Sequence, residues 1–306
     1  MTALLLSPAA LDWVTRAMPG RRLLHTQRLP GSTSASLHRL DFQDDFGAVL
    51  RQFDLLPGWL ALEPELARHE ACSLERAARA DLPTPTLIAF DETGAEAGWP
   101  SVLMTCLPGS VDLNPPDLSA WLDGLAAALS RIHAVSPAGF GWTHAPYSDL
   151  NQLSVPTWTS APDAWVRALE RLQEPPPAFT PTFIHRDFHP ANVVWQAGQV
   201  SGVVDWVNAC TGPIGADLGH CRVNLAQMYG QGAADAFKEA YKRRTGYFQN
   251  PYWDLLSLAD LLNGDAPPRV YPGWPTFGLT ELTDKLIQVR LEGYLTSLLS
   301  DETGKS

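Results

Sequence analysis

The chain has 306 residues, of which 45% are apolar, and its 33 acidic against 22 basic side chains leave a formal net charge of −11. This length suits two lobes rather than one small domain, and the apolar fraction excludes wholesale disorder. The acidic balance argues against a nucleic-acid partner, because phosphate backbones are repelled, and it suits cationic small molecules.

The first part of the chain is predicted to contain most of the strands. A short amphipathic helix over residues 9–18 comes first, followed by three antiparallel strand segments, LLHTQRL, SLHRLDF and FGAVLRQF. The composition of residues 63–80, rich in Ala, Leu, Glu and Arg, predicts a helix that Pro83 ends. The segments LIAFDETG and PSVLMTCL predict two further strands, and Pro108-Gly109 then marks a lobe boundary.

Helices dominate the rest of the chain. The segment WLDGLAAALSRIHAV and residues 158–172 predict two of them. From Asp217 onward, four more helical segments follow: DLGHCRVNLAQMY, AADAFKEAYKRRTG, YWDLLSLADLL and LTELTDKLIQVRLEGYLTSLLS. Between the two groups, TFIHRDFHPANVVWQAGQVSGVVDWVNA predicts short strands around a polar loop. Strands followed by helices indicate an α+β chain with distinct parts.

Cysteine usage and hydropathy predict the compartment. The four cysteines show no paired spacing, which argues against a zinc site or a disulfide framework and favours a reducing environment. The N-terminal stretch lacks the basic segment and the apolar length of a signal peptide. No run of about 18 apolar residues is present to span a membrane. We therefore expect a cytoplasmic protein without a membrane partner.

The segment HRDFHPAN, residues 185–192, carries the strongest chemical signal. It places an Asp after His-Arg and an Asn five residues later, which is the pattern of a kinase catalytic loop. In that chemistry Asp187 orients the acceptor hydroxyl and takes its proton, while Asn192 supplies a neutral oxygen to Mg²⁺. Asp205, at the end of the next hairpin, offers the metal a carboxylate. The alternative is an ordinary polar loop, which the complete pattern disfavours.

The same region resembles the aminoglycoside phosphotransferase and choline-kinase-like family of small-molecule kinases. Val204-Asp205-Trp206, then Gly212, then Asp217-Leu218, is similar to that family's pattern. Protein kinases have Asp-Phe-Gly and a long activation segment instead, whereas only residues 206–216 separate Asp205 from Asp217. The short segment therefore favours a small-molecule acceptor.

The resemblance implies a two-lobed, protein-kinase-like fold of the α+β class. Residues 1–107 would form a nucleotide-binding lobe built on a small antiparallel sheet. Residues 108–306 would form a larger, mostly helical lobe for catalysis and substrate binding. In this fold Asp187 would be the catalytic base, and Asn192 and Asp205 would bind magnesium. Asp217 would brace the catalytic loop.

The N-terminal lobe would supply nucleotide contacts. Arg51 stands where kinases place the phosphate-contacting Lys of the third strand, and it keeps the positive charge. Glu70, or alternatively Glu65, would pair with Arg51 from the following helix. The loop between the first two strands has small residues whose backbone N–H groups can approach phosphate oxygens. Its candidate nucleotide contacts are Ser32, Thr33 and Ser34.

The segment Met104-Thr105-Cys106-Leu107 resembles the family's hinge between lobes. Backbone groups of Thr105 and Leu107 would hydrogen-bond the adenine edge, and Met104 would lie behind the base. Core packing is the competing interpretation for Met104. The acceptor would lie against the helical lobe, where carboxylates suit ammonium groups. The candidate residues there are Trp253, Asp254, Asp260 and Asp265.

These patterns predict a phosphotransferase that moves the γ-phosphoryl group of ATP, or of GTP, to a hydroxyl of a small molecule with the help of Mg²⁺. Cationic acceptors such as an aminoglycoside or an aminoalcohol are candidates. Two alternatives remain: a protein kinase, and a nucleotide-binding protein without catalysis. The short segment after Asp205 disfavours the first. The joint presence of Asp187, Asn192 and Asp205 disfavours the second.

Overall fold

The computed structural model describes residues 6–30, 35–261 and 265–303. The chain divides into two compact units. Unit 1 comprises Met1–Gly109 and Ser201–Asn208, and unit 2 comprises Ser110–Val200 and Ala209–Ser306. Unit 1 thus contains a second, short segment of the chain, which carries Asp205. The predicted boundary after residue 107 assigns this segment to the other lobe. The division of function between residues 1–107 and 108–306 stays a prediction.

Unit 1 is built on an antiparallel sheet of strand order β1-β2-β3-β5-β4. Its helix α1 starts at Pro8 after Ser7, whose hydroxyl accepts a hydrogen bond from Ala10 N, as expected of an N-cap. The predicted strands are all present, and a short helix α2 that the sequence analysis did not predict precedes α3. The elements are α1 Pro8–Ala17, β1 Leu23–Arg28, β2 Ser36–Phe42, β3 Gly47–Gln52, α2 Pro57–Leu62, α3 Leu66–Ala77, β4 Leu87–Asp91 and β5 Ser101–Thr105.

The two faces of strand β3 point to different surroundings, because side chains alternate along a strand. Leu50 is fully buried and belongs to a core cluster that also contains Leu40 of β2 and Trp13 and Val14 of α1. Arg51, the next residue, projects from the other face, where it meets Glu70 of α3. The sheet therefore separates an apolar core from a charged cluster.

Unit 2 is mostly helical, with short strands on either side of the 185–192 loop. Strand β7 ends directly before His185 and pairs antiparallel with β10, with Ile184 opposite Cys210. The mixed content of the two units confirms the predicted α+β class. The elements are β6 Ser110–Val111, α4 Leu118–His133, α5 Pro162–Gln173, β7 Thr182–Ile184, β8 Val193–Gln196, β9 Gln199–Val203 (which runs on into unit 1), β10 Cys210–Gly212, α6 Ile214–Tyr229, α7 Gln231–Thr245, α8 Pro251–Asp260 and α9 Asp284–Thr303.

Helix α5 begins later than the predicted residue 158. Glu292 of α9 accepts hydrogen bonds from Thr159 Oγ1 at 2.8 Å and from Ser160 N at 2.6 Å, which holds this stretch as a loop. Pro162 then occupies the start of the helix, where its missing N–H costs nothing. Among residues 6–30, 35–261 and 265–303, no helix combines the length and apolar character needed to cross a membrane.

Helix α6 packs closely against α8 because two of its residues are glycines one turn apart. A Cβ added at Gly215 would lie 2.1 Å from Trp253 Cδ1, and one added at Gly219 would lie 2.4 Å from the main-chain oxygen of Trp253. Both distances are far below van der Waals contact. The glycine face of α6, defined as Gly215 and Gly219, therefore sets the separation of the two helices.

Replacing Gly219 with Ala tests this close approach. We expect Gly219→Ala to lower the free energy of unfolding by about 1–3 kcal/mol, because an extra methyl group must push α8 away. Gly293→Ala is the matched control, since that exposed helix position has open space around it. It should raise the free energy of unfolding by about 0.5–1 kcal/mol through helix propensity. Urea denaturation measures both, and stabilisation by both substitutions would refute the contact.

Candidate active site

The 185–192 loop is held in place by the carboxylate of Asp217, at the start of α6. Asp217 is fully buried, and its two oxygens accept hydrogen bonds from His185 N at 2.8 Å and Arg186 N at 2.6 Å. His133 Nε2 of α4 lies 3.0 Å from Asp217 Oδ2. Burial alone would raise the pKa of Asp217, but these hydrogen bonds and the neighbouring histidines lower it below its ordinary value. The predicted bracing of the loop by Asp217 is confirmed.

Arg186, directly before Asp187, adopts a left-handed backbone conformation with φ of 73°. This region is unfavourable for residues other than glycine, so other contacts must hold it. Its N–H is fixed by Asp217, and its guanidinium donates to Ala145 O and lies 3.6 Å from the centroid of the Tyr147 ring. The backbone turn just before Asp187 is therefore held both through the main-chain N–H of Arg186 and through its side chain.

Asp187 and Asn192 lie together in unit 2, and each oxygen of the Asp187 carboxylate meets a different group. The side chain of Asp187 is 27% exposed, and its Oδ1 lies 3.0 Å from His220 Nε2. Asn192 Nδ2 donates to the main-chain oxygen of Asp187 at 2.9 Å and lies 3.4 Å from Asp187 Oδ2. Burial opposes ionisation here, but the hydrogen bond from His220 and the charges of nearby histidines hold the pKa of Asp187 well below its usual range.

His220 is a site residue that the sequence analysis missed. It lies on α6, three residues after Asp217, so the two side chains share one helix face. That spacing was visible in the sequence, and it was the signal that could have identified His220. His189, which lies within the loop, approaches the same Oδ1 atom but stops at 3.9 Å.

Unit 1 places Arg51, Glu70 and Asp205 in one charged cluster. Arg51 Nη1 donates to Glu70 Oε1 and Nη2 donates to Asp205 Oδ1, both at 2.7 Å. The predicted pair of Arg51 with Glu70 is confirmed, while Glu65 pairs with Arg68 at the surface. Burial raises the pKa of Glu70 to about 7, against the opposing charge of Arg51. One cation is thus shared between two carboxylates.

The donor atoms of Asn192 and Asp205 suit a magnesium ion. Mg²⁺ prefers oxygen ligands, and these residues offer an amide oxygen and a carboxylate. Because the amide nitrogen of Asn192 is used by the Asp187 carbonyl, its oxygen is the end that can ligate. Asp205 has a left-handed backbone, with φ of 66°, and its side chain is about one-third exposed. Metal binding by these two residues stays a prediction.

The residues predicted to contact the nucleotide differ from one another in burial and in the hydrogen bonds they already make. Met104 is buried in strand β5, and it lies opposite Val49 of β3 in the sheet. The N–H of Thr105 donates to Thr86 O at 2.9 Å, so that this donor is already used within the protein. Leu107 is half-buried just after the strand. The predicted loop contacts, Ser32, Thr33 and Ser34, fall outside the described residues.

The structure does not bring the four predicted acceptor residues together as one surface. Asp254 is only 1% exposed and forms an ion pair with Arg222 Nη1 at 2.6 Å, and Tyr294 Oη donates to it at 3.1 Å. Trp253 is buried against the glycine face of α6. These two contacts are typical of structural residues, because burial has already removed the side chains from solvent.

Asp260 and Asp265 have more open positions. Asp265 is exposed and accepts hydrogen bonds from Thr157 N and Thr157 Oγ1. Asp260 is half-buried at the end of α8 and accepts from Ser148 N at 3.0 Å. Burial raises the pKa of Asp260, while the charges of Arg186 and His220 oppose that rise. Asp260 therefore lies within electrostatic range of the residues around Asp187, which makes it the strongest of the four candidates.

The buried ion pair of Asp254 predicts a stability defect rather than a binding defect. We expect Asp254→Ala to lower the free energy of unfolding by about 3–5 kcal/mol, because Arg222 would be left buried without its main partner. Asp12, exposed on α1, is the matched control and should change stability by less than about 0.5 kcal/mol when replaced by Ala. Chemical denaturation of both variants measures the difference. Equal stabilities would contradict the assignment.

His144 predicts a stability that depends on pH. Burial, with the nearby charge of Arg186, lowers the pKa of His144 from 6.5 to about 4. Between these values the unfolded chain binds a proton that the folded chain does not, so stability falls as the pH drops through this window. The loss should reach about 1–3 kcal/mol near pH 4. Denaturation curves from pH 7 to pH 4 should show a smaller loss for His144→Gln, and parallel losses would exclude this histidine as the cause.

Comparison with known proteins shows a consistent pattern. The sequence profile described as the phosphotransferase enzyme family matches residues 44–259. A homoserine kinase from Gluconobacter oxydans (strain 621H) is 33% identical over 141 residues, which are 41% of this chain and 43% of that protein. The acyl-CoA dehydrogenase family member 10 of Mus musculus is 29% identical over 189 residues, 54% of this chain and 17% of that protein. The chain thus spans less than half the length of either relative.

A solved structure matches the chain over nearly its whole length. It is a thermostable mutant of the aminoglycoside phosphotransferase APH(4)-Ia in a ternary complex with ADP and hygromycin B. The TM-score is 0.63 at 15% sequence identity, and the match covers 95% of this chain and 99% of that one. This likeness confirms the predicted two-lobed, protein-kinase-like fold.

Proposed function

Because the chain belongs to the phosphotransferase enzyme family, we propose that it transfers the γ-phosphoryl group of ATP or GTP to a hydroxyl group of a small molecule. The observation that carries the proposal is the partly exposed carboxylate of Asp187. Asp187 belongs to a loop whose main chain is held by hydrogen bonds to Asp217. A protein that only bound nucleotide would need no such fixed carboxylate.

Asp187 is the residue that meets the acceptor in this proposal. Its lowered pKa keeps it ionised at neutral pH, so it can accept a hydrogen bond from the acceptor hydroxyl and orient the oxygen for attack. As the new O–P bond forms, the bond between the γ-phosphorus and the bridging β-phosphate oxygen breaks, the nucleoside diphosphate leaves, and the hydroxyl proton passes to the Asp187 carboxylate. Because its pKa is low, Asp187 is a weak base, and orientation is its larger contribution.

Asn192, Asp205 and Arg51 would handle the nucleotide. The amide oxygen of Asn192 and the carboxylate of Asp205 would hold Mg²⁺. When bound, Mg²⁺ offsets negative charge on the phosphate oxygens. Arg51 now shares its guanidinium between Glu70 and Asp205. If Asp205 held a metal ion, Arg51 Nη2 would be available to a phosphate oxygen, and Glu70 would still hold Nη1.

The acceptor proposal rests on Asp260. Its half-buried carboxylate lies within electrostatic range of His220, which itself contacts Asp187. A carboxylate near the reacting hydroxyl favours an acceptor that also carries an ammonium group. Homoserine, the compound in the name of one relative, carries both groups, and the net charge of −11 favours cationic acceptors in general.

Acceptor-dependent turnover tests the proposal. Nucleotide consumption would be measured with Mg²⁺ and a panel of aminoalcohols, hydroxy amino acids, aminoglycosides and macrolides. Asp187→Ala should lower kcat on the best acceptor about 10²–10⁴-fold, because the orienting carboxylate is lost, while nucleotide affinity stays within a few-fold. Asp12→Ala, an exposed aspartate on α1, should leave kcat unchanged. Near-normal turnover by the Asp187 variant, or the absence of nucleotide binding by the natural protein, would refute the function.

A further inference from the structure

Two histidines approach the Asp187 carboxylate, and only one of them is within hydrogen-bond distance. His220 Nε2 lies 3.0 Å from Asp187 Oδ1, whereas His189 Nε2 lies 3.9 Å from the same atom. His189 Nδ1 accepts a hydrogen bond from Ala191 N at 3.3 Å, so the proton of its neutral ring resides on Nε2. His220 is therefore the direct contact, and the His189 ring lies next to the His220 ring, with 5.7 Å between the ring centroids.

The same proton positions argue against a metal bound by these three residues. Asp187, His189 and His220 offer ligand atoms that all lie within 4.8 Å of one another. A metal bound to His189 Nε2 would require that atom to be unprotonated, and the hydrogen bond from Ala191 N holds the opposite tautomer. An ionised carboxylate can only accept, so His220 Nε2, at 3.0 Å, donates a hydrogen bond to Asp187 Oδ1, and His189 Nε2, at 3.9 Å, faces the same oxygen without a hydrogen bond to it.

One face of α6 holds both the main chain and the side chain of the candidate base. Asp217 binds the backbone N–H groups just before Asp187, and His220, three residues later, reaches the Asp187 carboxylate. Asn224, on the next turn, donates from Nδ2 to the main-chain oxygen of His220 at 2.9 Å, and the same Nδ2 lies 3.4 Å from His220 Nε2. Because the Asp187 carboxylate is closer to Nε2, at 3.0 Å, and can only accept, Nε2 carries the proton and Asn224 bonds to the main chain. The position of His220 is thus fixed by the helix that also fixes the loop.

We propose that His220 is a positioning residue that sets the rotation of the Asp187 carboxylate, so that Oδ1 is held by His220 Nε2–H and Oδ2 is presented to the acceptor hydroxyl. The inference rests on the proposed function. Rotation about the terminal bond of an aspartate is soft, so the carboxylate needs an external contact to keep one orientation. Asn192 holds the carboxylate less well than His220 does, because its Nδ2 bonds mainly to the main-chain oxygen of Asp187 and lies 3.4 Å from Oδ2.

Two substitutions of His220 separate its hydrogen bond from its bulk. Gln carries an amide N–H near the position of Nε2, whereas the shorter Asn carries one near the position of Nδ1 and cannot reach Asp187. We expect His220→Asn to lower kcat about 10- to 100-fold, the effect of losing one hydrogen bond to a charged group. KM for the acceptor should change less than about threefold, because ground-state binding does not use this bond. His220→Gln should keep kcat within about fivefold of the natural protein.

The two variants also reveal a purely structural role. If His220 only packs the loop, Gln and Asn will lower kcat alike, or will raise KM and lower thermal stability without affecting kcat. Either pattern would overturn the proposal. The stability of each variant is measured alongside its kinetics. If denaturation curves show that both variants remain folded, a similar loss of kcat in both is not caused by unfolding.

Nuclear magnetic resonance of protein labelled with ¹⁵N-histidine tests the contact without any turnover. We expect the His220 Nε2–H signal to be visible and protected from solvent exchange, and to be lost in Asp187→Ala. A ring protonated only on Nδ1, or a signal indifferent to Asp187, would overturn the contact. If the natural protein shows no turnover with any acceptor but the signal behaves as expected, the proposed function fails and the His220–Asp187 contact stands.

Discussion

The hydrogen bonds accepted by the buried carboxylate of Asp217 are the interaction on which the 185–192 loop depends. An ionised group in an apolar interior is unfavourable unless hydrogen bonds compensate its lost hydration, and here the compensation comes from the loop it supports. The N–H groups of His185 and Arg186 would lose this charged acceptor if Asp217 were absent. Helix α6 and the loop therefore stabilise each other through Asp217.

Helix α6, which carries Asp217, is itself held by contacts with three other helices. His133 and Tyr241 connect Asp217 to α4 and α7, since His133 Nδ1 lies 2.7 Å from Tyr241 Oη. On the other side, the glycine face of α6 fixes the distance to α8. A helix that is contacted on several sides holds its side chains in fixed positions. That rigidity is what a site needs when its residues act by orientation.

Local patterns in the sequence predicted the parts of the site that lie close together along the chain. Asp187 and Asn192 belong to one loop, so their spacing is visible in the sequence and their contact follows from it. Arg51 was predicted to pair with Glu70, or alternatively Glu65, from the resemblance to kinases, in which a carboxylate of the following helix pairs with the basic residue of the third strand. The loop contact was thus predicted from spacing along the chain, and the Arg51 pair from the resemblance.

Features that depend on packing between distant segments were not predictable in the same way. Asp254 was predicted to contact the acceptor from its charge and its position after the 185–192 loop, but it is buried in an ion pair with Arg222 of another helix. The helix α2 has only 6 residues, which is too short to show an apolar periodicity. It also has no side-chain cap, and its Leu62 is exposed, so neither a capping signal nor a buried face marks it. His220 had a usable signal in its spacing from Asp217, but the contact itself requires the fold of the loop.

If Asp260 contacts the acceptor as proposed, the close contact between α6 and α8 links acceptor choice to the packing of these two helices. Trp253 near the start of α8 rests on the glycine face, and Asp260 forms its other end, about 10 Å away at 1.5 Å per residue. A helix pivots as a rigid rod, so a small tilt at Trp253 becomes a larger displacement at Asp260. Acceptor preference could therefore drift during evolution through packing changes beside α6, with Asp187 and its loop left untouched. Selection for a new acceptor would then leave its mark in the core of the helical unit as well as on its surface.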